Sequence, residues 1–153
     1  MEKGIQIRLA KQKDAKAIQE IYNHEVRNST ATFDLVERTT QQQEEWLDER
    51  SGAFSVLVAE MGSKILGFAS LSPYKARAAY RTTVEDSIYI NEEFRNQGIA
   101  GELLSHLLEV AESSGFHAVI ARIGGANEAS IYLHQRFGFE IVGTEKEIGR
   151  KFG

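Results

Sequence analysis

The chain has 153 residues, 42% of them hydrophobic, a formal net charge of -4 and no cysteine. That length can bury one sizeable core without disulfides or a structural metal, and the lack of cysteine excludes a disulfide framework, an iron–sulfur cluster, a thiolate zinc site and a cysteine nucleophile. The acidic balance argues against a general nucleic-acid binder. Met1-Glu2-Lys3-Gly4 has no signal-like apolar core and no run reaches membrane-spanning length, so a cytoplasmic chain with neither nucleic acid nor membrane as partner is expected.

Ile5, Ile7 and Leu9 alternate with polar or small neighbours and predict a first half-buried strand. Ile18, Ile21, Tyr22 and Val26 recur at helical spacing from about Asp14, and Asn28-Ser29-Thr30 ends that helix. Residues 31–38 follow neither period. Thr40 with Gln43 three positions later is a capping-box signature for a second helix that turns Trp46 and Leu47 inward and stops near Ser51-Gly52. Residues 54–60 and 65–74 flank Met61-Gly62-Ser63-Lys64 as a hairpin, with Pro73 marking the end of regular pairing. A loop rich in Arg, Lys and Tyr covers residues 75–82, and residues 83–90 form a fourth strand.

A turn of small residues, 95–101, then opens a helix whose Leu103, Leu104, Leu107, Leu108 and Ala111 share a face, with Gly115 as its stop. Residues 118–123 read as a compact strand, a helix begins near Asn127 and closes at Gly138, and Phe139, Ile141 and Val142 begin one more strand. The order β α α β β β α β α β implies one α/β domain, residues 1–153.

The turn from Arg95 through Asn96, Gln97, Gly98, Ile99 and Ala100 to Gly101 follows a strand and opens a helix, so unpaired N–H groups and the positive end of the helix dipole face whatever sits there. Small residues let a large anion approach the backbone, Arg95 adds a charge, and a pyrophosphate suits the site. The glycines alone fit an ordinary tight turn equally well.

In this context the chain resembles the GNAT superfamily of acetyl-CoA-dependent N-acetyltransferases, whose signature of Arg or Gln, two residues, Gly, one residue and Gly or Ala is matched by Arg95, Gly98 and Ala100. It is most similar to the phosphinothricin and methionine-sulfoximine (or sulfone) acetyltransferase group, through Ile21-Tyr22-Asn23-His24, Tyr74-Lys75-Ala76-Arg77, residues 83–90, residues 127–138 and Gly149-Arg150-Lys151-Phe152-Gly153. The resemblance implies an α/β acyl-CoA N-acyltransferase fold: a mixed, mostly antiparallel sheet flanked by helices and splayed between its fourth and fifth strands. It implies acetyl-CoA as cosubstrate, with the backbone of Ile88, Tyr89 and Ile90 along the pantetheine arm and residues 96–101 around the pyrophosphate. Asn127 is a further cofactor candidate, or a helix cap without a ligand.

Glu85 shares a strand face with Ser87 and Tyr89, expected to look mostly toward polar surroundings. The resemblance makes Glu85 the base that takes the amine proton, directly or through water; a salt-bridged strand acid is the alternative. By the same likeness His134 protonates the leaving thiolate, against an interior hydrogen-bonded histidine, with Tyr132 as a spare candidate. His24 is a lesser pocket candidate, and His106 and His117 read as surface residues. No histidine shows a metal-ligand spacing, so no metal is expected. Lys75, Ala76 and Arg77, with Glu85, Asp86 and Ser87, are implied to border the acceptor, with Phe33 as an apolar wall; Arg77 alternatively pairs with a surface acid.

The function expected is acetyl transfer to the primary amine of a small amino-acid-like acceptor by direct attack in a ternary complex, in a homodimer. The alternatives are a GNAT enzyme of another small amine or a protein N-terminus, and a non-catalytic acyl-CoA-binding module. A nucleotide-binding module lacks its P-loop or dinucleotide fingerprint here. In the resembled enzymes a Trp-Leu-Asp-like last strand follows Lys-Phe-Gly, whereas this sequence stops at Gly153, so a fold lacking that strand is expected, as a truncated chain or with a partner subunit over the edge.

Overall fold

The structure, a computed structural model, describes residues 4–50, 52–125 and 127–153. The helix stop expected at Ser51 and the N-terminal residues Met1, Glu2 and Lys3 therefore lie outside the described residues. The elements are β1 (Gln6–Leu9), α1 (Ala15–Asn28), α2 (Thr40–Asp48), β2 (Val56–Met61), β3 (Lys64–Pro73), β4 (Thr83–Ile90), α3 (Ile99–Ser113), β5 (Ala118–Ile120) and α4 (Glu128–Arg136). Strands lie in chain order across one sheet; all neighbours are antiparallel except β4 and β5, which are parallel.

Strand alternation sorts the core into two layers. Val56, Val58 and Phe68 face α1 and α2, burying Ile18, Ile21, Tyr22, Val26 and Leu47. Leu57, Ala59, Ala69, Leu71 and Val84 face α3, whose Ile99, Leu103, Leu107 and Ala111 fill the other side. No helix among the described residues is long and apolar enough to cross a membrane.

Three expectations are corrected. The capping box is Thr39 with Gln42, one residue earlier than Thr40 with Gln43: Thr39 Oγ1 accepts the Gln42 N–H at 3.1 Å and Gln42 Oε1 accepts the Thr39 N–H at 2.9 Å. Gln43 is instead fully buried and accepts from the Arg38 guanidinium at 3.2 Å, an interior partner that outweighs a cap at the surface. The strand over 118–123 closes at Ile120, because the next residues leave the β4 edge. No strand forms from Phe139: a strand needs ladder bonds to a neighbour, the described residues after α4 join none, and Ile141 and Val142 are exposed.

The α1 entrance is held by charge. Arg8 on β1 donates to Asp14 at 2.7 and 3.0 Å and to Glu60 on β2 at 2.9 and 2.9 Å, while Asp14 also accepts the Lys11 N–H at 2.8 Å. Burial pushes the Asp14 carboxyl up, and the Arg8 and Lys11 hydrogen bonds more than reverse this, leaving it below its ordinary 3.8. Arg8→Ala leaves a buried carboxylate short of its partner, so unfolding free energy should fall by about 1–3 kcal/mol at neutral pH. A depressed carboxyl stabilises the fold above its unfolded value and loses that contribution as pH falls through the folded one. Urea titrations should therefore show the wild-type advantage shrinking once pH drops below 3.8; a gap independent of pH contradicts the assignment.

Candidate active site

β4 and β5 pair only through Thr83, Val84 and Glu85 against Ala118, Val119 and Ile120. Beyond that point the two chains part, and a cleft of about 1120 Å³ opens between residues 86–90 on one side and 121–124 on the other. The other β4 edge stays bonded to β3 as far as Ile90. The free edge thus offers backbone N–H and C=O groups to an extended ligand.

The cleft ends at the turn leading into α3, where Asn96 (φ 61°) and Gly98 (φ 80°) are both left-handed. The first helical bond runs from the Glu102 N–H to the Gly98 carbonyl, so the N–H groups of Ile99, Ala100 and Gly101 precede it without intrahelical partners. Gly98 supplies its conformation without a Cβ penalty. Arg95 is exposed on one side and ion-paired on the other to Glu25, a buried acid near the end of α1. Glu25 was not singled out from the sequence. Its signal was available, since it lies on the same helical face as Ile18, Tyr22 and Val26, where an acid needs a partner.

Glu85 and His134 stand on opposite faces of β4. Glu85 forms a forked pair with Arg122, which donates at 3.1, 3.1 and 2.8 Å from the segment after β5. This pair holds the Arg122 guanidinium more firmly protonated than usual, through its hydrogen bonds first and its charge second. The sequence places this face mostly toward polar surroundings. Its Tyr89 end instead enters the core, edge-on to Tyr22 at 5.4 Å and tilted against Phe68 at 5.3 Å, because α1 covers that half of the strand.

On the other face, the buried Asp86 Oδ2 lies 2.7 Å from His134 Nε2, and His134 Nδ1–H donates to the Ser130 carbonyl at 2.7 Å. The Phe139 ring meets the imidazole edge-to-face at 4.9 Å. Burial pushes the His134 pKa down, but the Asp86 hydrogen bond and charge, with the Ser130 carbonyl, outweigh it and leave it raised.

Other expected residues divide clearly. Ser87, Ile88, Tyr89, Ile90, Arg95, Asn96, Gly98, Ile99, Ala100, Gly101 and Asn127 all border the cleft, as do Asp86 and His134. Glu85 and Gln97 flank it in sequence without being among its lining residues. Asn127 also caps α4, its Oδ1 accepting the Ser130 N–H at 3.1 Å. Phe33 lies against two glycines: a Cβ would stand 2.9 Å from its ring at Gly124 and 2.7 Å at Gly149. Lys151 fastens the same region, donating to the Thr32 carbonyl at 2.9 Å and to the Glu25 carbonyl at 3.3 Å. Lys75, Ala76 and Arg77 are exposed on the β3–β4 loop and do not line the cleft. His24 pairs with Glu92 at 3.1 Å in a separate depression, away from the cleft. Among the described residues no group of three or more His, Cys, Asp or Glu side chains could hold a metal ion.

A split parallel pair of strands and a helix start bared to the same cleft suit an extended ligand with an anionic end. The family profile described as Acetyltransferase (GNAT) domain matches residues 7–153, and the chain belongs to this family. The phosphinothricin N-acetyltransferase of Streptomyces coelicolor is 38% identical over 97% of this chain and 90% of its own. The L-methionine sulfoximine/L-methionine sulfone acetyltransferase of Pseudomonas aeruginosa is 37% identical over 92% and 83%. Among solved structures, a phosphinothricin acetyltransferase from Sinorhizobium meliloti in complex with acetyl-CoA superimposes with TM-score 0.93 at 36% identity, covering 97% of this chain and 82% of that one. A ribosomal-protein-alanine N-acetyltransferase from Brucella melitensis superimposes with TM-score 0.95 at 38% identity, covering 97% and 92%.

The Asp86–His134 pair has a signature in stability. A histidine whose folded pKa is raised contributes fully below its unfolded value, here 6.5, and loses that contribution as pH rises through the folded value. The stability difference between wild type and His134→Gln, from chemical denaturation at a series of pH values, should therefore narrow as pH rises above 6.5. A difference that widens instead contradicts a charged imidazole in the folded protein.

Proposed function

We propose that the chain moves an acetyl group from acetyl-CoA to the primary amine of a small amino-acid-like acceptor of the phosphinothricin or methionine sulfoximine/sulfone type, by direct attack in a ternary complex. The observation that carries this reading is the β4–β5 split, which joins the bared start of α3 to Asp86 and His134 in one cleft with Glu85 at its edge. The names and acetyl-CoA complex of the relatives support the donor and the acceptor class.

In this reading the N–H groups of Ile99, Ala100 and Gly101 take the pyrophosphate, with Arg95 held beside them by Glu25. The free β4 edge at Ile88, Tyr89 and Ile90 pairs with the pantetheine amides, and Asn127 adds a side-chain amide from the far wall. Glu85 removes the proton of the attacking amine, directly or through a water, and Arg122 keeps its carboxylate aimed. The nitrogen lone pair forms the N–C bond, the C–S bond breaks, and the sulfur takes a proton from His134. The proton lost by the amine replaces the one given to sulfur, so amide and free thiol are the only products.

Phe33 forms the apolar wall of the acceptor side, clamped between the Gly124 and Gly149 backbones. A homodimer belongs to the same reading, on the family resemblance. The superposition on the Brucella enzyme favours a second acceptor class, a protein N-terminus, which a panel of free amino acids and N-terminal peptides separates from the first.

Thiol release measured with a responsive acceptor tests the base: Glu85→Gln should lower kcat by about 100-fold or more, and full turnover in that variant removes Glu85 from the role. Gly149→Ala pushes a methyl into the Phe33 ring, so KM for the acceptor should rise severalfold while KM for acetyl-CoA stays within about twofold, the reorganisation being confined to one wall. Equal changes in both constants would place Phe33 outside the acceptor side.

A further inference from the structure

Arg122 meets Glu85 with one edge of its guanidinium only. Nε donates to Oε1 and Oε2 at 3.1 and 3.1 Å, and Nη2 donates to Oε2 at 2.8 Å. The second edge, formed by Nη1 and the other N–H of Nη2, is a planar fork of the kind that fits a carboxylate. Among the described residues nothing accepts a hydrogen bond from Nη1. Of the pair, Arg122 is the member that borders the cleft, and its side chain is 63% exposed against 18% for Glu85. A ligand in the cleft therefore meets the outer edge of Arg122 beside the Glu85 carboxylate.

The neighbouring cations are committed elsewhere. Arg95 is paired with Glu25 at the turn before α3, and Arg136 on α4 stands over the Tyr132 ring at 5.9 Å. Lys75 lies over the Tyr74 and Tyr80 rings at 4.9 and 5.3 Å, and neither it nor Arg77 lines the cleft. The hydrogen bonds and charge of Glu85 hold Arg122 protonated against burial, and Glu145 in the segment after α4, with Tyr74, acts in the same direction through charge. Two carboxylates and one guanidinium leave a negative charge in excess. That balance repels a plain anion and suits a zwitterion, whose ammonium faces the acids and whose carboxylate faces the guanidinium.

We infer that Arg122 is a specificity-determining residue: its outer edge binds the α-carboxylate of a free amino-acid acceptor and so holds the amine on the same carbon against Glu85. This rests on the acetyl-transfer reading above and narrows its acceptor class. The amine and carboxylate of an α-amino acid are borne on one carbon, and the Glu85–Arg122 fork sets their two partners side by side in advance. A protein N-terminus has its first carbonyl in a peptide bond and brings no charge to Arg122, so the free amino acid is favoured over it. The place at the acceptor that the family likeness gives to Lys75 and Arg77 is filled here by a residue of the segment after β5.

The test compares L-methionine sulfone with its α-carboxamide, which keeps the side chain and the amine and lacks the carboxylate. In wild type, kcat/KM from thiol release should be higher for the acid by about 10- to 100-fold. In Arg122→Ala the ratio should fall to within about threefold, and Arg122→Lys, which keeps the charge and loses the fork, should lie between. Comparing the ratio between chains cancels the amide's own effect on amine basicity. A residue that only aims Glu85 would slow both acceptors by one factor, so an unchanged ratio in Arg122→Ala overturns the proposal. Calorimetry on the wild-type chain with CoA present should show the acid bound more tightly than the carboxamide; equal binding overturns the proposal whether or not the variants fold. Should wild type release no thiol with any amine, the acetyl-transfer reading fails, while calorimetry on wild type and Arg122→Ala still decides the recognition: a preference for the acid that Arg122→Ala loses supports it, and one that Arg122→Ala keeps rules it out.

Discussion

Everything at the site follows from the parting of β4 and β5 after three paired residues. A parallel pair held to the end would satisfy the β4 edge with protein. Because β5 leaves at Ile120, the backbone of residues 86–90 keeps an edge that is bonded on the β3 side and open on the other. Open ladder groups in a cleft are costly unless a ligand or water meets them, which makes the same feature both a local weakness of the sheet and, on the proposed reading, the grip on an extended, amide-bearing molecule. The wide end of the split falls at the start of α3, where three further N–H groups lack partners.

Charge pairs across elements hold this opening in shape. Glu25 ties α1 to the turn before α3 through Arg95, Arg122 ties the departing strand segment back to β4 through Glu85, and Asp86 ties β4 to α4 through His134. Each joins parts of the chain that would otherwise be free to drift across the cleft. Their worth differs with burial: the exposed side of Arg122 places its pair near the weak end of such interactions, whereas Asp86 and His134 are both shut from water, where losing one partner strands the other. The Arg8, Asp14 and Glu60 network plays the same part at the far edge of the sheet.

The two faces of β4 separate two pairs, Glu85 with Arg122 and Asp86 with His134. Glu85 looks toward the α1 side and Asp86 with His134 toward α3 and α4, so on the proposed reading the group that takes the amine proton and the histidine are kept from neutralising each other. Alternation along a strand is enough to achieve this. Phe33, on the α1–α2 loop, rests its ring against the Gly124 and Gly149 backbones, is more than half exposed and is not among the cleft-lining residues.

Local chemistry made much of this legible in the sequence: the hydrophobic periods of α1 and α3, the hairpin of β2 and β3, the exact bounds of β4, and the small-residue turn at 95–101 are all short-range consequences of side-chain pattern and backbone freedom. The cap at Thr39 was misread by one residue because Gln43 is drawn inward by Arg38, a contact that no local pattern reports. The strand expected from Phe139 failed because a strand exists only with a neighbour, and the alternation of Phe139, Ile141 and Val142 cannot say whether one is present. The partners of the site residues were hidden for a similar reason: Glu25 with Arg95 and Glu85 with Arg122 are separated by 70 and 37 positions and meet only once the sheet has formed. The sequence by itself determined which residues can carry acid–base chemistry and where an anion can rest against a helix start. Only the tertiary structure decided which of those charges are already paired, on which face of β4 each one stands, and how far β5 follows before the cleft opens, because these depend on distances between segments remote in the chain.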